Sequence, residues 1–463
     1  MTPIRLYNSL TRKTEELTPR TPGHVDMFVC GPTVYDRIHI GNARTFTIFD
    51  VVAKWLRHRG LEVNYIQNIT DIDDRIIARA NESGENPLEY ARRLDEAFRA
   101  DMQALGNDAV SQYARATDHV PQVIVQVKIL RDKGSVYLIE GDGWYFDLTT
   151  FPDYGKLSGR TGMQANDAVS RIDDSEKKRN TGDFCVWKLS KPGEPAWDFE
   201  TAAYLGIVGA GLPAEALAKA GRPGWHIEDT AITEHYFGPQ YDLHGGGMDL
   251  KFPHHEAEIA QQEAASGFVP FVKYWMHVGF LENKSEKMSK SLGNFLSLHE
   301  ALSKYDPAVL RFYFLSNHYR APLDFSDSAL DTAQAAVNRI TELMLKRSDV
   351  VIDEASAIVA IGEALNDDFN TPKAFAAVFD LVRESNAKGA VPPKSFFTFL
   401  SDTFGIIAQT PAEAPLEIQK LVDERQLARE QKDWATSDNL RDQLSELGYT
   451  VDDTPYGPLV KKS

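Results

Sequence analysis

The sequence predicts an α/β protein with a doubly wound parallel sheet interrupted by an insertion, then a helical bundle and a small α+β module. Three observations predict this. Strand-like and helix-like stretches alternate in the first third of the chain, helical periodicity follows residue 326, and a helical pair precedes a strand-turn-strand pattern near the end. Because 463 residues are too many for one core, about two to four domains are expected.

The first strand-helix-strand unit comes early. "VDMFVC" has the composition of a strand, and "GPT" breaks it. The following "HIGNARTFTIFDVVAKWLRHRG" is predicted to be a helix because Phe46, Phe49, Ala53 and Leu56 share one face and Gly60 ends the pattern. "EVNYIQNI" is the next strand. This order and spacing predict a right-handed parallel unit.

The remaining elements divide the chain further. Short strands ("SVYLIEGDGWYFDL") and a polar loop predict an insertion, and the alternating pattern returns at "YDLHGGGMDL". Leu330, Val337, Ile340 and Met344 then follow helical spacing, and the last segment predicts two helices and a hairpin. The predicted domains are a sheet domain (residues 1–107 and 223–325), an insertion (108–222), a helical bundle (326–410) and a terminal module (416–463).

Composition limits the class of protein. Hydrophobic residues make up 43% and charged residues 25% of the chain, as in ordinary soluble globular proteins. The net charge of -17 argues weakly against a nucleic-acid partner, although an acidic protein can carry a local basic face. No stretch is long and apolar enough for a membrane span, and no secretory signal is visible. With only Cys30 and Cys185, we expect no disulfide scaffold and a cytoplasmic location.

Two stretches have properties that suit phosphate chemistry. His39, Gly41 and Asn42 lie where the first strand turns into the first helix, and a helix N-terminus attracts polyphosphate; a helix start with a packed histidine is the alternative. "ENKSEKMSKSLGNF" places Lys287 and Lys290 in a basic, hydroxyl-rich loop that could neutralise phosphate charge, unless the loop is merely solvated. The chain has neither a Walker-type loop nor a G-x-G-x-x-G motif.

"FPHHEAEIAQQ" is the third candidate feature. His254 and Glu258 are four residues apart, so both would face the same side of a helix that starts near Pro253. The pair could be half of a metal site or simply a polar first turn of the helix. These residues alone leave both interpretations open, because a metal site would need ligands from elsewhere in the chain.

Taken together, the motifs resemble those of class I aminoacyl-tRNA synthetases, and most closely the cysteinyl-tRNA synthetase family. The resemblance covers nearly the full length and rests on "FVCGPTVYDRIHIGNART", "NITDIDDRII", "GRPGWHIE", "HGGGMDLKFPHHEAEIAQ", "KMSKSLGNF" and "DDFNTP". It implies a Rossmann-like catalytic domain with an inserted connective region, a helical tRNA-binding bundle and a C-terminal anticodon-recognition module. It further implies ATP-dependent attachment of L-cysteine to tRNA(Cys) through a cysteinyl-adenylate, by a monomer.

The resemblance also implies one zinc ion per subunit that selects the substrate thiolate. By motif, three ligands are Cys30, His254 and Glu258, while the family's second cysteine falls on Asp229 in "GWHIEDTAI". Zinc accepts carboxylate oxygen, and the count of three anionic ligands is unchanged, so we expect the site to keep its metal. Asp229 could otherwise be a helix cap. Cys185 matches neither motif and is expected to be a packing residue.

The other implied sites concern the substrates. ATP, bound with Mg²⁺, is expected to meet His39, Gly41, Asn42, Lys290, Gly245, Gly246, Gly247 and Asp249, with His39, Asn42, Lys287 and Lys290 in the catalytic roles. The three glycines could instead form a tight turn. The substrate cysteine is expected near Thr70 and Trp225, although Trp225 could be an ordinary core residue. Expected tRNA contacts, which a solvated helix face would equally explain, are Arg425, Arg429, Lys432 and Trp434.

Two other functions fit parts of this pattern. A cysteine:amine ligase of the mycothiol-synthesis type shares the catalytic motifs but lacks a full anticodon-binding end, which residues 416–463 are expected to supply. A non-catalytic tRNA-binding paralogue would not need the intact "HIGN" and "KMSKS" stretches. Both remain alternatives to the tRNA ligase.

Overall fold

The computed structural model describes residues 2–160, 177–209, 219–283, 286–287, 296–407, 414–454 and 457–462. The chain forms two compact units. The first unit, which we call the catalytic unit, comprises Met1–Lys304, Asn317–Phe325 and Leu365–Asn370. The second, the helical unit, comprises Tyr305–Ser316, Ser326–Ala364 and Thr371–Ser463.

The core of the catalytic unit is a parallel sheet. Across the sheet, its five described strands are Val272–Val278, Tyr241–Gly247, His24–Val29, Glu62–Ile69 and Gln112–Arg115. Every neighbouring pair is parallel. The direction in which successive strands are added to the sheet changes at His24–Val29, the first of these strands in the chain. Doubly wound folds bind ligands at such a point. The predicted doubly wound α/β class is therefore confirmed.

The first helix of the catalytic unit runs over Ile40–His58 and packs on this sheet. His39 is its N-cap, where the ring Nδ1 accepts the backbone N–H of Asn42 at 3.2 Å. The predicted apolar face is buried, and Phe49 has no exposed surface. Burial of one such side chain contributes about 1.5–3 kcal/mol, so this face fixes the helix on the sheet and its N-terminus at the sheet edge.

A second, antiparallel sheet belongs to the same unit. Its described strands, in sheet order, are Tyr204–Ile207, Pro195–Asp198, Ala220–Pro223, Phe184–Leu189, Gly143–Phe146 and Val136–Ile139. All lie inside the predicted insertion of residues 108–222 except for Pro223, the last residue of one strand. The parallel strand Gln112–Arg115 also lies in that range, so the central sheet extends past residue 107. Cys185 is buried in the antiparallel sheet beside Tyr137 and Tyr145.

The other elements of the catalytic unit are helices and short strands. Its further helices are Asp74–Ser83, Pro87–Leu105, Val120–Asp132, Ile227–Phe237, His254–Ser266 and Leu298–Leu302, with 3₁₀ turns at Thr117–His119 and Leu148–Thr150. Its short strands are Arg5–Asn8 with Lys13–Glu16, and Leu281–Asn283 with Glu286–Lys287 and Leu323–Asp324. Two of these helices, Ile227–Phe237 and His254–Ser266, contribute to the site described below.

The described helices of the helical unit are Pro307–Leu315, Asp327–Leu345, Ala355–Asn366, Thr371–Lys388, Lys394–Phe404, Leu416–Glu430 and Trp434–Glu446. The last residues of Ala355–Asn366 belong to the catalytic unit. The hairpin of Tyr449–Thr454 and Gly457–Lys462 follows the last helix. Leu330, Val337 and Ile340 are buried as predicted. Met344 is only half-buried, because Leu343 takes the inward position at the end of that helix. None of the described helices is long and apolar enough to span a membrane.

Candidate active site and metal centre

A cavity of about 410 Å³ opens at the carboxyl edge of the parallel sheet. Residues that directly follow or end three of the strands form its floor, namely Cys30, Gly247 and Val278. The start of the first helix forms one wall, so the cavity lies at the switch point of the sheet order. Of the predicted site residues, it is lined by Cys30, His39, Gly41, Asn42, Trp225, Gly247 and Asp249.

The four predicted metal ligands meet around Cys30, the one member of the four that lines this cavity. Cys30 is held by its backbone N–H, which donates to Gly245 O at 3.0 Å. Asp229 comes from the first turn of Ile227–Phe237, and His254 and Glu258 come from one face of His254–Ser266. His254 Nε2 lies 3.0 Å from Asp229 Oδ2 and 3.0 Å from Glu258 Oε1. One donor atom from each residue falls within 4.8 Å of all the others.

This donor set is buried and acidic. Glu258 has no exposed surface, and Asp229 has 1%. Burial and the nearby carboxylates of Glu258 and Asp229 raise the pKa of the Cys30 thiol well above its usual range. Burial and Asp229 likewise raise the pKa of Glu258 well above its usual range. Glu258 Oε2 is buried without a hydrogen-bond partner, so the donors suit a divalent cation that would neutralise them.

Two further histidines extend the cluster. Cys30 Sγ lies 3.3 Å from both His244 Nε2 and His255 Nε2, and these residues with Glu258 form a second possible donor set. Neither histidine was predicted from the sequence to be a metal ligand. His244 stands in the strand before the three glycines, and no spacing rule marks an isolated strand histidine as a ligand.

Hydrogen bonds to the second ring nitrogens orient these histidines. His244 Nδ1 meets Tyr241 Oη at 2.5 Å, His255 Nδ1 meets His277 Nε2 at 2.8 Å, and His254 Nδ1 meets His226 Nδ1 at 2.8 Å. Burial lowers the pKa of His244 and His255 well below the usual range. These rings are therefore neutral at pH 7 and can offer lone pairs.

The two residues predicted to bind the amino acid occupy different places. Trp225 lines the cavity, and its indole stacks on the His254 ring with centroids 4.4 Å apart and 14° between planes. Its Nε1 is buried without a partner. Thr70 does not line the cavity, because it is buried and its hydroxyl donates to Glu228. Trp225 is thus the better placed of the pair for contact with a substrate.

The predicted nucleotide site is only partly assembled by the described residues. His39, Gly41, Asn42, Gly247 and Asp249 line the cavity. Gly245 and Gly246 do not, because a Cβ on either would meet the ring of Phe49 at 2.3 Å or of His255 at 2.9 Å. These two glycines permit close packing of side chains rather than contact with a ligand. Lys287 belongs to the short strand Glu286–Lys287, and Lys290 lies outside the described residues.

We expect Gly41→Ala to reduce nucleotide-dependent activity without unfolding the protein. The added Cβ would lie 2.8 Å from the Nδ1 and Cε1 atoms of His39, so the ring must leave its position over the helix N-terminus. Loss of one prearranged polar group costs on the order of 10²–10³ in rate, and a displaced ring should cost part of that. ATP–pyrophosphate exchange and thermal unfolding, measured together, check this. A loss of activity that follows loss of folded protein would contradict it.

The C-terminal residues predicted to bind tRNA do not form one helical face. Arg425 is 3% exposed, and its guanidinium donates to both carboxylate oxygens of Asp453 at 2.7 and 2.9 Å. The helix Leu416–Glu430 ends before Lys432, whose φ is 60°. Arg429 remains one-third exposed and lies over the Trp434 ring at 5.6 Å, and Trp434 is 57% exposed. The predicted face is therefore corrected to Arg429, Lys432 and Trp434, because Arg425 is a buried structural cation.

Arg425→Ala is expected to destabilise the terminal module, whereas Arg429→Ala is not. Removing Arg425 leaves Asp453 without its bidentate partner, and breaking a buried pair costs about 3–5 kcal/mol, less here because Asp453 is partly exposed. Arg429 is the matched control on the same helix and the same carboxylate. Urea unfolding of the two variants, followed by hydrogen exchange of the backbone amides of the terminal module, compares them. Equal unfolding midpoints would contradict this assignment.

Comparison with known proteins gives the family. The family model "tRNA synthetases class I (C) catalytic domain" matches residues 16–335, "DALR domain" matches 360–395 and "Cysteinyl-tRNA ligase anticodon binding domain" matches 412–457. Cysteine–tRNA ligases of Coxiella burnetii (strain RSA 493) and Heliobacterium modesticaldum are 43% and 41% identical, covering 98% and 99% of this chain and 98% and 100% of theirs.

Solved structures support the fold. Methionyl-tRNA synthetase of Mycobacterium tuberculosis in complex with methionyl-adenylate has a TM-score of 0.56 at 16% identity, covering 79% of this chain and 83% of that one. A leucyl synthetase ternary complex of Agrobacterium radiobacter has a TM-score of 0.57 at 12% identity, covering 81% and 82%. At such identity these show the fold alone. The full-length relatives and the three matched models show that this chain belongs to the cysteine–tRNA ligase family of class I aminoacyl-tRNA synthetases.

Proposed function

We propose that this protein attaches L-cysteine to tRNA(Cys) in an ATP-dependent reaction through a cysteinyl-adenylate. The observation that carries the proposal is a cavity lined by residues of two kinds of site. One end has Cys30, which belongs to a buried donor set with Asp229, His254 and Glu258. The other end has the N-terminus of the first helix with His39 and Asn42. An amino acid held at the first end would present its carboxylate toward a nucleotide at the second.

The donor set supports zinc as the cofactor, one ion per subunit. Cys30, Asp229, His254 and Glu258 would hold it, with three anionic donors and one neutral imidazole. Bound zinc would supply a soft Lewis acid that binds a thiolate in preference to a hydroxyl. The chain itself keeps the site dry, since all four donors are buried, and Trp225 holds the His254 ring in place. Selection of cysteine over serine would then need no separate editing site.

At the nucleotide end we assign the phosphate contacts of Mg²⁺-ATP to the helix start. The helix dipole places partial positive charge there, and the His39 ring and Asn42 line the same wall. Lys287 and Lys290 are proposed to neutralise charge on the leaving pyrophosphate, and Asp249 to accept from the ribose. The work of the protein in this step is positioning and electrostatics rather than covalent chemistry.

For tRNA we propose that the helical unit and the terminal module provide the contact surface. Lys432 offers an exposed cation, and Arg429 is a one-third exposed cation beside Asp453. The exposed Trp434 ring offers a surface on which an unstacked base can lie. These three residues lie within six positions of each other. The match of residues 412–457 to an anticodon-binding model supports the same assignment.

Cysteine-dependent ATP–pyrophosphate exchange tests the proposal. We expect exchange with L-cysteine and at least about a thousandfold less with L-serine, because a shape-only pocket would separate them by only ~1–3 kcal/mol, which is at most about 200-fold. A zinc-loaded protein without exchange would overturn the activity and leave the non-catalytic paralogue as the function. Charging of purified tRNA(Cys), compared with an aminosugar acceptor, then distinguishes the tRNA ligase from the cysteine:amine ligase.

A further inference from the structure

Asn68 connects two of the proposed ligands. It is the second-last residue of the strand Glu62–Ile69 and is 2% exposed. Its Nδ2 donates to Asp229 Oδ1 at 2.5 Å, and its Oδ1 accepts the backbone N–H of Gly31, the residue after Cys30, at 2.5 Å. Nδ2 also lies 3.5 Å from Thr70 Oγ1. Asn68 is thus a buried amide between the chain segment of Cys30 and the side chain of Asp229.

The orientation of this amide is fixed by its partners. The Gly31 N–H can only donate, so the oxygen of Asn68 must face it, and the NH₂ group must then face Asp229. A flipped amide would place its NH₂ group against the N–H of Gly31 and its oxygen against a carboxylate. Both contacts would be repulsive in a buried site. The backbone N–H of Gly31 therefore determines that the NH₂ group of Asn68, and not its oxygen, faces Asp229.

The two oxygens of Asp229 are consequently no longer equivalent. Oδ1 accepts from Asn68, whereas Oδ2 faces the other donors, 3.0 Å from His254 Nε2 and 3.4 Å from Cys30 Sγ. A free aspartate could offer either oxygen, or both, to a cation. A cysteine at this position would offer a single sulfur and would not need this distinction.

We infer that Asn68 is the positioning residue that lets an aspartate take the place of a thiolate ligand. It holds Oδ1 away from the metal so that Asp229 presents Oδ2 alone, and it aligns this oxygen with the segment that carries Cys30. This inference rests on the proposed zinc role of Asp229. It goes further because it assigns the orientation of the Asp229 carboxylate to Asn68, which is not one of the proposed ligands.

The test measures zinc affinity by competition with a chromophoric chelator in the wild type, Asn68→Asp, Asp229→Cys and the double variant. Asn68→Asp preserves side-chain size and keeps the oxygen that accepts from Gly31, and its ionised form has no donor for Asp229. Asn64→Ala is the control, because it removes an amide–carboxylate hydrogen bond to Asp26 from the same strand, away from the cavity. Asn68→Ala serves as a second, neutral variant.

Asn68→Asp and Asn68→Ala are expected to weaken zinc binding by about 10–100-fold, as is typical when a partner of a ligand is lost. In the Asp229→Cys background the same changes should weaken it less than threefold, and Asn64→Ala should leave it unchanged. Equal losses in both backgrounds would overturn the inference, because Asn68 would then act on the fold or on Cys30. A wild type that binds no zinc would overturn the zinc role itself, and with it this inference.

Discussion

Asp229→Ala is expected to lose most of the zinc affinity of this protein, whereas Asp229→Cys is expected to retain it. The aspartate provides one of four donor atoms in a buried cluster, and alanine would leave three donors and a gap. Loss of a residue that merely supports a ligand costs about 10–100-fold, so loss of the ligand itself should cost at least the upper end of that range. Cysteine restores an anionic donor of the kind that zinc binds well.

Metal content after dialysis and chelator competition would measure both variants. Asp249→Ala is the matched control, because Asp249 is a carboxylate that lines the same cavity but does not belong to the donor set. It should keep its zinc while losing affinity for ATP. An Asp229→Ala protein that binds zinc as tightly as the wild type would show that Asp229 is not a ligand.

The second large effect concerns pH. In the zinc-free protein, burial and the neighbouring Asp229 carboxylate raise the folded-state pKa of Glu258 well above its usual value. Burial and Asp229 also raise the folded-state pKa of Glu228. An acid whose pKa is raised on folding keeps its proton longer in the folded state than in the unfolded one. The free energy of unfolding must therefore fall as the pH rises above the unfolded-state pKa, by up to about 1.4 kcal/mol per pH unit for each proton retained.

Between pH 7 and pH 9 few other groups titrate. The buried histidines, whose pKa values are lowered, are neutral in both states there. The Cys30 thiol, whose folded-state pKa is also raised, adds to the loss of stability only near the upper end, because an unfolded thiol ionises at about pH 8.5. We expect the zinc-free protein to become less stable across this window and added zinc to remove most of the slope, because the metal replaces the protons. Urea unfolding at several pH values measures it.

The Glu258→Gln variant is the control for this pH effect. It removes one titrating group while keeping the size of the side chain, so its zinc-free form should lose less stability between pH 7 and pH 9 than the wild type does. A zinc-free wild type whose stability is constant or rises across the window would contradict the raised carboxyl pKa values. Calorimetry of zinc binding in buffers of different ionisation enthalpy would count the released protons independently.

Local chemistry made much of the fold readable. The strand Glu62–Ile69 was predicted with its observed bounds, and the first helix was predicted to within two residues at each end. Both predictions succeeded because the spacing of apolar residues in the sequence reflects which side chains are buried. The strand Gln112–Arg115 was missed as part of the central sheet. Four residues at a sheet edge carry too little periodicity to show which sheet they join.

The site residues, like the fold, could be predicted only in part from the sequence. A spacing of four on one helix predicted that His254 and Glu258 face the same direction, and motif resemblance added Cys30 and Asp229, which now lie beside them. Arg425 had the same kind of spacing but proved to be buried against Asp453, a residue on a strand of the terminal hairpin. Spacing shows which side chains share a face, whereas burial of that face depends on what packs there.

The sequence by itself therefore determined the family, the order of elements and the ligand candidates. Only the tertiary structure decided that His244 and His255 join the cluster, that Gly245 and Gly246 pack against side chains rather than line the cavity, and that Asn68 meets Asp229. The physical reason is distance along the chain. These contacts join segments up to 225 residues apart, and their geometry follows from the packing of whole helices and strands rather than from any local pattern.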